Sequence, residues 1–154
     1  RNLKLRLRYE YLNADVSDDP EPWEPDADDL AAIEEEIRAA VEREAFTHEL
    51  IAGSGVYALC LVDREDRAIV RKFTKPVDAD LEAHTLNGFP YFDGPATGAP
   101  VLAQSVASLE CEVRQPVEVG NHTLFLGEIV NAAFLKDEET PVLRMEDTRM
   151  NYGG

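Results

Sequence analysis

Three groups of residues in this chain carry side chains that could do chemistry. His122 stands directly after Gly120-Asn121, where a turn gives way to an apolar run. An imidazole there can face a cleft and donate a hydrogen bond or move a proton near neutral pH; it can equally be a surface histidine that completes the turn. The second group is Arg43-Glu44-Ala45-Phe46-Thr47-His48. A hydroxyl and free backbone N–H groups at a helix start make a phosphate seat, with an arginine to supply charge. The same residues also read as a plain helix cap beside a solvated Arg43. Arg71, Lys72 and Lys75 form the third group, in a chain whose formal charge is −16. They would draw a polyanion against the surrounding field, or they are a solvated helix end in favourable contact with its dipole. Arg149 and Tyr152 could reach the edge of a site or belong to a polar tail.

Other chemistries find no support in the residue pattern. His48, His84 and His122 have no metal-ligand spacing with one another or with Cys60 and Cys111. No Gly-x-Gly-x-x-Gly or Gly-x-Ser-x-Gly motif occurs, and the acidic run from Asp15 to Glu36 lacks the order of a calcium loop. The acidity argues against nucleic acid or an anionic membrane as main partner. No apolar run approaches the roughly 20 residues of a membrane span, and no secretory leader is visible. Cys60 and Cys111 read as two buried thiols of a cytoplasmic protein. At 154 residues, with 44% hydrophobic and 30% charged, the chain has the size and composition of one globular domain. It begins at Arg, as a fragment or a processed product would.

The elements that must position these residues centre on Ala107 to Asn131. Leu109, Cys111 and Val113 alternate with Glu110, Glu112 and Arg114, the period of a strand with one buried face. A loop over Val117 to Asn121 follows, then a second arm, His122 to Val130, apolar on both faces. Gly127 within it marks a place where another backbone or a flat ligand comes close. Together these arms predict a long β-hairpin in a β-rich core.

Upstream, Leu3 to Leu12 alternates as a strand, and Asn13 to Asp29 is an acidic, proline-bearing linker with Trp23 as its one aromatic. Leu30, Ile33, Ile37 and Val41 have helical spacing. The helix should break near Arg43 to Phe46, and Thr47 should cap a second, short helix ended by Gly53 and Gly55. Val56 to Val62 predicts a buried strand, and Asp63 caps a helix through about Phe73, with Ile69, Val70 and Phe73 inward. Residues 74–100 read as a long loop of the kind that forms lids or partner contacts. Val101 to Ala103 and Pro141 to Met145 predict short strands, and the end of the chain a polar tail.

The run LECEV and GNHTLFLGEIV resembles the closing hairpin of the flavin reductase-like family, the FMN-binding split barrels. FTHELI, GVYALCLVDREDRAIVRKFTKP and VLRMEDTRMNYGG extend the resemblance from about Val41 to the C-terminus. It implies a mainly β (α+β) fold with a split-barrel-like Greek-key core and two or three short helices. Residues 1–40 would be an atypical N-terminal strand, acidic linker and amphipathic helix, and 41–154 the split-barrel portion. The family's early flavin-gripping strands find no match, and an amphipathic helix takes the place of the strand expected before Thr47. The resemblance further implies FMN, or FAD, held at a homodimer interface and reduced by NADH or NADPH. His122 would face the nicotinamide as the catalytic residue. Arg43, Ala45, Phe46 and Thr47 would hold the flavin phosphate, with Arg71 and Lys72 near it or near the partner subunit. The alternative is a truncated or non-catalytic relative that dimerises and binds flavin weakly or not at all.

Overall fold

The computed structural model describes residues 36–74 and 77–148. The expected strand at Leu3 to Leu12, Trp23 and its linker, Lys75 and the tail with Arg149 and Tyr152 lie outside them. In chain order the described elements are β1 (Glu36–Glu42), α1 (Phe46–Ser54), β2 (Val56–Leu61), α2 (Arg67–Phe73) and the short strands β3 (Ala79–Asp80) and β4 (Thr85–Leu86). There follow β5 (Phe89–Asp93), β6 (Pro100–Leu102), β7 (Ala107–Val119), β8 (His122–Phe134) and the one-turn helix α3 (Met145–Thr148). One sheet has the order β1-β8-β7-β2 and the other β3-β4-β5-β6. The fold is mostly β, with curled antiparallel sheets and a few short helices, as the sequence led us to expect.

The hairpin of β7 and β8 is the longest structure and is tighter than expected. Val117, Glu118 and Val119 stay in register with Leu124, Thr123 and His122, so the loop is only Gly120-Asn121. Gly120 has φ +60° and Asn121 has no positive φ, the type II′ pattern whose twist suits the flanking strands. Along β7 the expected alternation fails. Ala107 through Cys111 are buried without a break, Glu110 among them, and the register shifts between Glu110 and Cys111 and again between Val113 and Gln115. At the first shift the extra residue is Val130 of β8 and at the second Arg114 of β7, and such bulges bend a strand and re-aim its side chains.

The helix expected over Leu30 to Val41 does not extend over residues 36–42, which form β1 instead. Ile37, Val41 and the intervening Ala39 also satisfy a period of two. Ala39 and Val41 are half-buried, whereas Arg38, Ala40 and Glu42 are exposed. Pairing with β8 satisfies the backbone of this stretch and decides between two periods that the residues fit equally.

From β1 the chain turns through 43–45 into α1, which ends at Gly55 in the left-handed conformation, its N–H donating to the Ile51 carbonyl. Val113 N donates to Gly55 O at 2.8 Å and fixes the entry to β2 beside β7. Tyr57 of β2 lies over Gly127, where an added Cβ would stand 2.2 Å from its Oη. The close approach expected at Gly127 is made by an aromatic side chain and not by another backbone or a flat ligand. Phe125, Cys111, Leu109 and Ile51 belong to the buried core.

Asp63 does not cap α2, whose N-cap is Asp66. Its carboxylate accepts from Glu65 N at 3.0 Å and from Lys136 Nζ at 2.7 Å, and its backbone bridges Val142. That single bridge is what stands at the strand expected over Pro141 to Met145, and Met145 starts α3. The stretch read as a long loop carries the second sheet. Its β4–β5 turn is Asn87-Gly88, both at positive φ (52° and 82°), as a type I′ hairpin requires. Among the described residues, no helix is long and apolar enough to cross a membrane, and no three His, Cys, Asp or Glu side chains gather as a metal site would need.

Candidate functional site at the hairpin tip

The turn of the central hairpin brings together two of the three groups singled out in the sequence. Arg43 N donates to Asn121 O at 2.9 Å, so the junction of β1 and α1 is fastened to the turn that precedes His122. The Asn121 carboxamide oxygen lies 2.9 Å from His122 Nδ1. The contact holds the ring through Nδ1. One turn residue therefore touches both the Arg43 segment and the imidazole. His122 itself is exposed, on the face of β8 opposite the buried Thr123 and Phe125.

Thr47 is not the helix cap. Ala45 occupies that position in an extended conformation (φ −74°, ψ 137°), with a side chain that cannot accept a hydrogen bond. His48 N reaches back to Ala45 O at 2.9 Å, but the N–H groups of Phe46 and Thr47 find no acceptor among the described residues. Helix starts normally have such donors capped by Ser, Thr, Asp or Asn. Here two N–H groups, the exposed Thr47 side chain and the Arg43 guanidinium lie within five residues of chain, at the positive end of a nine-residue helix. Glu118 faces Arg43 Nη1 at 3.7 Å as an exposed, screened counter-charge. Phe46 is 70% exposed beside these donors, a large apolar surface without cover from the described residues.

The next residue turns inward. His48 Nε2 is hydrogen-bonded to Thr123 Oγ1 at 2.8 Å, and its ring lies 5.3 Å from that of Phe125, centroid to centroid. Thr123 and Phe125 are both buried. Thr47 and His48 thus take opposite roles: one is open, the other anchors α1 to β8.

Arg71 and Lys72 are not part of this cluster. They lie on α2, which follows β2 after Leu61, and Leu61 pairs with Ala107 at the far end of the hairpin. Ala107 is separated from Val119 by most of β7, up to about 40 Å along an extended strand. The Lys72 carbonyl instead accepts from Asn87 Nδ2 at 3.2 Å, tying α2 to the β4–β5 turn.

The sequence also passed over a polar centre. Glu110 is 1% exposed, and Ala96 N (3.1 Å), Thr97 N (2.8 Å) and Thr97 Oγ1 (2.8 Å) all donate to its Oε2. Asn131 Nδ2 donates to Oε1 at 2.6 Å. Burial pushes the carboxyl up, but the hydrogen bonds from Asn131, Thr97 and Ala96 outweigh it and hold Glu110 below its usual range. Glu110 clamps the β5–β6 loop to both arms of the hairpin. Its only sequence signal is the small and polar loop Gly94 to Gly98, since alternation alone put it on the wet face.

The hairpin, the β1–α1 junction at its tip and the curled sheets define a class that comparison with known proteins identifies. Residues 37–153 match the flavin reductase like domain, and the chain belongs to that family. It is 32% identical over 106 residues to the ferric-chelate reductase (NAD(P)H) of Archaeoglobus fulgidus, covering 68% of this chain and 61% of that protein. It is 28% identical over 99 residues to an NADH-dependent FAD reductase of Streptomyces globisporus, covering 62% of this chain and 52% of the relative. The chain thus spans between half and two thirds of the length of these relatives. The Streptomyces globisporus NADH:FAD oxidoreductase solved with NAD and FAD fragments superposes with a TM-score of 0.58 at 25% identity, over 70% of this chain and 61% of that one. The flavin reductase component of a bacterial two-component tryptophan halogenase shares the fold with a TM-score of 0.61 at 18% identity, over 74% and 69%. Against the family pattern, the strand missed in the sequence is present: β1 leads directly into Arg43 to Thr47.

Proposed function

We propose that this chain is a flavin-dependent oxidoreductase in which NADH or NADPH delivers hydride to FMN or FAD bound at the hairpin tip. The observation that carries the reading is the 2.9 Å bond from Arg43 N to Asn121 O, which sets an uncapped helix start beside His122. The donors fit the phosphate of a flavin nucleotide. The N–H groups of Phe46 and Thr47, the Thr47 hydroxyl and Arg43 supply hydrogen bonds and positive charge, with Ala45 leaving the helix end open. The isoalloxazine, when bound, accepts the hydride and carries the electrons.

The protein's part is to place and orient. Phe46 offers exposed apolar surface against a flat ring. His122, oriented by Asn121, leaves Nε2 toward solvent to orient the nicotinamide, and forms no covalent intermediate. Arg71 and Lys72 reach such a flavin only from a second copy of the chain, so the reading includes a homodimer. Cys111 is buried and Cys60, expected to be buried, is half-buried; neither forms a disulfide, which suits a cytoplasmic setting.

Purified protein titrated with FMN and with FAD should take up one of them and show the visible flavin absorbance. The colour should bleach anaerobically on addition of NADH or NADPH. His122→Ala should slow that bleaching at least about tenfold, equivalent to about 1.4 kcal/mol, while leaving flavin affinity within about twofold. Equal loss of both rejects the role of His122, and a protein that takes up neither flavin rejects the function.

A further inference from the structure

We infer that His48 and Thr123 form a positioning tether that fixes the first turn of α1 for flavin binding; the inference rests on the function proposed above. Within the tip, the Arg43 bond holds the chain just before the helix, and the His48 bond holds it just after the open donors. Phe46 and Thr47 lie between these two fastenings. The backbone N–H groups of the phosphate seat cannot adjust as its side chains can, so their geometry is only as fixed as the backbone that carries them.

The tether is built for rigidity. Thr123 is 4% exposed and Phe125 2%, so the His48 ring meets a surface with little freedom to yield. Thr123 follows His122 directly and points to the opposite face of β8. The same two residues of strand therefore hold the nicotinamide-facing imidazole on one side and the phosphate-facing helix on the other. A shift of α1 relative to β8 would change the distance between the two ends of the site. His48 and Thr123 touch neither nucleotide; they act through Thr47 and Arg43.

The test uses Thr123→Val, which keeps shape and removes the hydroxyl, Thr123→Ser, which restores it, and His48→Leu, which keeps apolar cover over Phe125. Thr123→Val and His48→Leu should each raise the flavin Kd about tenfold, the effect of one lost hydrogen bond. The rate of reduction of bound flavin should stay within about twofold, and the double variant should be no weaker than either single one, since both remove one bond. Thr123→Ser should bind as the unaltered protein does. Amide hydrogen exchange of residues 48–51, beginning with the His48 N–H that is bonded to Ala45 O, gives a second readout in the flavin-free protein: faster in Thr123→Val, unchanged in Thr123→Ser. Unchanged exchange in Thr123→Val, or a lowered unfolding midpoint with unaltered flavin affinity, overturns the tether. If the unaltered protein takes up no flavin, the proposed function fails and the positioning role fails with it, and the exchange result still decides whether the tether exists.

Discussion

Glu110 provides the sharpest test of how the central hairpin is held. Replacing it by Ala removes the acceptor for two loop N–H groups, one hydroxyl and the Asn131 amide, in a place with 1% exposure. Each buried donor left without a partner costs about 1–3 kcal/mol. The Thr97 hydroxyl can rotate away and water can reach part of the space, so a total of about 3–5 kcal/mol is expected. Against a domain stability of about 5–15 kcal/mol, that is a large fraction. Glu110→Gln isolates the charge: its amide oxygen can keep the loop donors while Asn131 turns its own carboxamide, so its cost should be about 1–2 kcal/mol. Urea unfolding at neutral pH measures both. Because Glu110 is held below its usual range in the folded state, its charge stabilises fully above the unfolded value. That contribution is lost as the pH falls from about 4.3 through the lower folded value. The gap between the parent and Glu110→Gln should therefore narrow on acidification. A loss below about 1 kcal/mol for Glu110→Ala, or a gap that widens in acid, would refute the clamp.

Two further substitutions test the packing and the open helix start. Gly127→Ala places a Cβ 2.2 Å from Tyr57 Oη and 2.7 and 2.9 Å from its ring carbons, which should cost about 1–3 kcal/mol, read as a lowered unfolding midpoint. Adding Tyr57→Phe leaves the ring carbons in place and should not rescue it. Ala45→Asp supplies the missing cap and should stabilise the flavin-free protein by about 1 kcal/mol. It should at the same time weaken flavin binding several-fold by occupying the donors and adding negative charge, and a gain or loss of both together contradicts the phosphate seat.

The hairpin, β2, the helix at residues 46–54 and its end at Gly55 were legible as elements, although Ala107 to Cys111 do not alternate and β2, expected to be buried, is half-buried except at Tyr57. Where two patterns coexist, the residues alone do not choose. Ile37 and Val41 fit both a helix and a strand, and pairing with β8 selected the strand. Glu110 sits at an alternating position, yet the β5–β6 loop covers that face. Asn87-Gly88 carried a strong hairpin signal that the surrounding prolines and two-residue strands obscured. At the site, Arg43, Thr47 and His122 were visible as residue types. Their union was not, because it depends on one backbone bond between segments far apart in sequence. His48 stood within the Arg43 to His48 group, but nothing marked its partner Thr123, which looks like any strand residue.

The start of α1 at the hairpin tip carries a local cost. An alanine at a helix N-cap, where Ser, Thr, Asp or Asn would each stabilise by about 1 kcal/mol, leaves donors open. In its turns and loops the same chain fills such needs with carboxylates: Glu110 satisfies the β5–β6 loop, and Asp63 and Asp80 accept N–H groups in their own turns. The start of α2 also lacks a side-chain cap hydrogen bond, so what sets the start of α1 apart is its company: the exposed Phe46, and Arg43, whose N–H is bonded to the residue before His122. A ligand bearing a phosphate and a flat ring recovers the hydrogen bonds and covers the aromatic together, and its binding free energy then adds to the stability of the fold. A capped helix would be more stable alone and would have nothing to offer that ligand.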